Sequence, residues 1–80
     1  MKTYMIMHED GRMNGAVFES PACGESPEAV KAAFEKVRAQ AKIPVKVLSV
    51  REAKKNEEVR ERMVPAWELE RLGLKGAASA

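Results

Sequence analysis

Eighty residues, 45% of them hydrophobic and 32% charged, describe one globular domain with a single small core. That is too short for a dinucleotide-binding fold or an eight-unit βα barrel. Lys and Arg number 14 against 12 Asp and Glu, a formal net charge of +2, too mild to imply nucleic acid by itself.

The apolar run at the N-terminus stops at His8-Glu9-Asp10, short of the roughly 7–15 residues of a secretion signal core. No stretch approaches the ~20 apolar residues of a membrane-spanning helix. A cytoplasmic protein is the expectation. Residues 2–8 alternate as a strand, with Tyr4, Ile6 and His8 on one side and Thr3, Met5 and Met7 on the other. Asp10-Gly11 and Asn14-Gly15 both favour a tight reversal, so residues 16–20 return as an antiparallel strand. Residues 21–25 read as a loop. Ser26-Pro27-Glu28 then marks a helix start: a capping hydroxyl, a proline suited to the first helical position and an acid in the first turn. Val30, Ala33, Phe34, Val37 and Ala41 form its expected buried stripe, and Pro44 stops it.

Residues 45–51 are β-branched and predict a third strand, with Val45 and Val47 on one face and Leu48 and Val50 on the other. Apolar residues on both sides of the strands leave a second sheet face for the C-terminal segment or a partner to cover. Residues 52–64 fit a helix, supported by the Glu58–Arg62 spacing, or a fourth strand from Val59 to Val64; the helix is the leading expectation. Pro65 starts a short final helix that Gly73 ends, and Trp67, Leu69 and Leu72 are available to the second face. Residues 76–80 read as a frayed tail. The fold class is therefore α+β: a small antiparallel sheet in strand-strand-helix-strand order, one amphipathic helix and a C-terminal helical segment.

Chemistry is sparse. A single cysteine, Cys23, and a single histidine, His8, exclude an intrachain disulfide and a cysteine-based zinc site, and Glu19 and Glu25 near Cys23 oppose a thiolate. No glycine cluster suits a phosphate. The expectation is no enzyme, no metal and no cofactor. Residues 1–26 carry two cations against four anions, whereas residues 27–64 carry ten against six. Such polarity steers association with a charged partner, which makes Glu9, Asp10, Glu19 and Glu25 the candidate partner-binding acids. Met13, in the turn, is the methionine most suited to exposure. The alternative is a small nucleic-acid-binding module or an accessory subunit of another assembly, with Lys31, Arg38, Lys42 and Lys46 as the basic patch.

In size, layout and poverty of motifs the chain resembles the small anti-CRISPR proteins of phages and mobile elements, particularly those acting on type I surveillance complexes and among them the type I-C inhibitors. The resemblance implies inhibition in a bacterial host without catalysis, by occupying the surface on which the complex binds target DNA. The protein itself is expected as a monomer or a weak dimer.

Overall fold

A computed structural model describes residues 1–11 and 15–73. The chain runs β1 (Lys2–Asp10), β2 (Ala16–Gly24), α1 (Pro27–Gln40), β3 (Val45–Glu52), β4 (Arg62–Met63) and α2 (Ala66–Arg71). All four strands join one antiparallel sheet in the order β3-β1-β2-β4. The α+β class and the order of the first four elements match the sequence reading. Residues 12–14 of the expected reversal between the first two strands, Met13 among them, and the tail at 76–80 lie outside the described residues.

β1 lies inside the sheet, between β3 and β2, and both of its faces are apolar. Tyr4 and Ile6 pack with Val30 of α1, joined by Ala22, Phe34, Val47 and Val50. Met7, on the opposite face, packs with Val17, Val64, Leu69 and Leu48. The C-terminal segment therefore covers the second face, through Val64 and Leu69. Trp67 and Leu72 do not join it and stay 62% and 54% exposed.

Several local expectations change. β2 continues through the expected loop to Gly24, in register with β1 from Ala16 opposite Asp10 to Gly24 opposite Lys2. Pro21 is tolerated there because no strand among the described residues pairs with that part of its outer edge, so the missing N–H breaks no ladder bond. In β3, Ser49 stands opposite Met7 and Val47 opposite His8, leaving Leu48 as one extra residue. That bulge puts Val47 and Val50 together under α1 and turns Leu48 to the other cluster, where strict alternation would separate the two valines. Residues 53–61 form no helix, and the expected helix gives way to a connection ending in the two-residue β4.

α1 begins as its sequence dictates: Ser26 is extended and its Oγ accepts from the Ala29 N–H at 3.1 Å. It ends earlier than Pro44 requires. Lys42 takes a left-handed conformation (φ 58°), its N–H donating to the Ala39 carbonyl while the Ile43 N–H donates to that of Arg38. This is the glycine-type helix stop formed by a lysine. At the other end α1 lies so close to β2 that a Cβ on Gly24 would sit 2.5 Å from Val30 Cγ2.

Candidate functional site

The acids singled out by sequence do not form one exposed surface. Glu25 is exposed and Glu9 half-buried, but Asp10 is only 6% exposed and Glu19 1%. Glu19 points at the second face, where Arg51 donates to it through Nε (3.0 Å) and Nη2 (3.1 Å) and Arg62 through Nε (3.1 Å). Each guanidinium is also gripped in a fork by a second carboxylate: Arg51 by Glu57 at 2.9 and 2.6 Å, Arg62 by Glu68 at 3.1 and 2.6 Å. Arg62 thus spends its charge on Glu19 and Glu68, and Glu58 pairs loosely with Arg60 instead.

These contacts polarise one another. Hydrogen bonds from Arg51 and from the Lys54 backbone N–H hold the Glu57 carboxyl down at about 2, and Arg62 lowers Glu68 in the same way. Both guanidiniums are correspondingly harder to deprotonate. The five side chains fasten residues 57 and 68 to the sheet across a cavity of about 560 Å³ lined by Met7, Glu19, Arg51, Lys54, Arg62 and Leu72. Arg51 and Arg62 are already held by carboxylates, so this cavity has its anions built in. It is a clasp for the C-terminal segment.

On the α1 side the arrangement is open. β4 pairs with Phe18 and Glu19 of β2, and among the described residues no strand covers the outer edge from Ser20 to Gly24. Beside that edge α1 overhangs the sheet. Of its expected buried stripe, Val30 is buried and Phe34 half-buried, while Ala33, Val37 and Ala41 are exposed, Val37 by 62%. Edge and overhang enclose a groove of about 470 Å³, lined by Ala22, Val30, Phe34, Val37 and Ile43, with Arg38 and Glu61 also on its wall. The Arg38 guanidinium sits 4.9 Å above the Phe34 ring centre. Among the described residues no carboxylate lies within ion-pair distance of it.

Behind the groove His8 Nε2 lies 2.9 Å from Ser20 Oγ, which donates to Glu61 Oε2 at 2.8 Å. The hydroxyl has one proton and gives it to the carboxylate, so His8 must be the donor through Nε2–H. Its buried Nδ1 finds no hydrogen-bond partner among the described residues. Burial, aided by the Arg38 charge, keeps the imidazole below the usual histidine range, against the opposing pull of Glu61 and Asp10. The order is wrong for serine activation, in which the imidazole accepts the hydroxyl proton. Cys23 and His8 form no pair either. Cys23 stands opposite Thr3, five residues along β1 from His8, or roughly 16 Å at strand rise.

The basic residues also separate. Lys31 and Lys42 are exposed at α1 and its end, and Arg38 is stacked on Phe34. Lys46 is exposed on β3 in register with Glu9, and Glu9 shares the face of Met7, away from α1. No single patch contains all four. Among the described residues no group of three or more His, Cys, Asp or Glu side chains is placed to hold a metal, and no helix is long and apolar enough to cross a membrane. No known family, characterised protein or solved structure matches the chain. Sequence reasoning missed the groove because Val37 reads equally well as core; only the extent of the sheet beneath α1 decides it.

Proposed function

We propose that this chain is a non-enzymatic protein-binding module that takes an extended segment of its partner along the open edge of β2. The observation that carries this reading is a coincidence of two unsatisfied features: outward main-chain groups of Pro21 and Cys23 that no strand among the described residues pairs with, and the overhanging apolar stripe of α1, line the same groove. Strand addition uses both at once, main-chain hydrogen bonds for affinity and alternate side chains in pockets for specificity. Following the resemblance to type I anti-CRISPR proteins, the partner is a type I surveillance complex, and the docked domain stands over the surface that admits target DNA. Glu25 and the half-buried Glu9 are then the acids available to basic side chains of the complex, whereas Glu19 belongs to the clasp.

The test is co-purification with a type I surveillance complex and measurement of its target-DNA binding, using the parent chain and Val37→Asp. The exposed Val37 contributes little to stability, so its change is expected to alter the unfolding free energy by no more than about 0.5 kcal/mol. Loss of complex binding and of DNA blockade in that variant supports the reading. Undiminished binding by Val37→Asp refutes the groove, and absence of any complex binding by the parent refutes the partner.

A further inference from the structure

The groove is closed at one end, and that end carries a charge. β4 lies beside β2 with Arg62 opposite Glu19 and Met63 opposite Phe18, so the edge becomes free only at Ser20. A guest strand laid antiparallel to β2, in line with β4, runs from the Gly24 end toward the Ser20 end. Its C-terminal end therefore arrives against Glu61 and Arg62. There it must either turn sharply or stop.

The backbone offers few bonds to a passing strand. Val64 donates to the Val17 carbonyl, which fixes the alternation: Val17, Glu19, Pro21 and Cys23 turn their main-chain groups outward. Pro21 has no N–H, so beyond β4 the edge presents the Pro21 carbonyl and the N–H and carbonyl of Cys23. Three groups suit a short guest, with the remaining affinity supplied by side chains facing Ala22, Val30, Phe34 and Val37. Phe34 lies 4.7 Å from the ring of His8, which reaches Ser20, so Arg38, half-buried on Phe34 and without a carboxylate ion pair among the described residues, brings a positive charge to the closed end. Glu61 shares that wall but is engaged by Ser20, so a single incoming carboxylate has the Arg38 donors as its partner while a second would face Glu61.

We infer that the groove recognises the free C-terminus of a partner protein: an extended, apolar tail whose terminal carboxylate meets Arg38. This rests on the docking reading above and adds the chemistry of the occupant. A chain end satisfies both constraints of the closed end, because it needs no onward path past β4 and brings a single carboxylate to a planar donor that accommodates it in a fork.

The probe is a combinatorial library of seven-residue synthetic peptides with free C-terminal carboxylates, selected on the full chain. The strongest binder is then remade as its C-terminal amide, and affinities are read by fluorescence anisotropy with amide chemical shifts locating the contact. Apolar C-terminal residues are expected in the selected set, with shifts at residues 20–24 and along α1. Amidation of the peptide, or Arg38→Gln in the protein, is expected to weaken binding by about tenfold or more, with partial rescue by Arg38→Lys. The amide probe leaves the protein untouched, so the result does not depend on how well a variant folds. Binding at the β2 edge that ignores amidation overturns the C-terminal reading and leaves strand addition standing. No selected peptide, or shifts confined to another surface, overturns both.

Discussion

Glu19→Gln separates a structural carboxylate from a surface one with a change of a single atom. Glu19 is 1% exposed and accepts from three guanidinium N–H groups at 3.0–3.1 Å. The amide keeps one carbonyl, while its NH2 turns a donor toward guanidinium donors. Charge-assisted hydrogen bonds contribute about 1.5–3 kcal/mol each against ~1 for neutral ones, and removing one partner of a buried pair costs about 3–5. Arg51 and Arg62 are each 38% exposed and keep Glu57 and Glu68, so water recovers part of the loss. A destabilisation of about 2–4 kcal/mol results. In a domain of this size it lowers the thermal midpoint by roughly 10–25 °C. Urea titration followed by far-ultraviolet circular dichroism reads the first figure and a thermal scan the second. A Glu19→Gln unfolding free energy within about 0.5 kcal/mol of the parent would refute the clasp.

Two further outcomes follow from the same contacts. Gly24→Ala puts a Cβ 2.5 Å from Val30 Cγ2, so α1 must lift or the strand end must shift; a loss of about 1–3 kcal/mol is expected by denaturant titration, with the largest amide shifts at Val30. Stability also falls in acid in two stages. His8 is depressed in the folded chain, so the unfolded chain binds the extra proton and stability declines as pH falls through about 6.5. Glu57, held at about 2, and Glu68, also lowered, keep their stabilisation above the ordinary carboxylate range and lose it as pH drops toward 2. A midpoint flat from pH 7 to 3 contradicts both assignments.

What sequence could reveal here was whatever is decided within a few residues. Ser26-Pro27-Glu28 starts α1 as expected because a cap is local chemistry, and Gly73 ends the last helix with φ 74° for the same reason. β1 was legible as a two-faced strand because both of its alternating sets are apolar. Residues 53–61 were not, since their helix propensity competes with ion pairs formed by Arg51 and Glu19, the latter 43 positions before Arg62. Burial of Glu19 was equally hidden: an acid in a strand reads as solvent-facing until two distant arginines arrive. The stripe on α1 was correctly apolar, yet its exposure depends on how far the sheet extends beneath it.

The open β2 edge has a competitor within the chain, and Glu57 is what keeps the two apart. Extending the β4 register backwards puts Glu61 opposite Ser20, Arg60 opposite Pro21 and Val59 opposite Ala22. Glu61 already reaches Ser20. Val59, 43% exposed, would then fill the apolar groove from the same side as a guest residue. The chain leaves this path because Glu57 is forked onto Arg51 on the opposite face and also accepts from the Lys54 N–H at 2.8 Å. Glu57→Ala removes both holds. Lengthening of β4 is expected, seen as slowed hydrogen exchange at residues 58–60 and weakened binding of any peptide selected on the parent. Binding that weakens without added protection would place Glu57 in contact with the guest, and unchanged exchange with unchanged binding would mean that the groove stays open for a reason other than this tether.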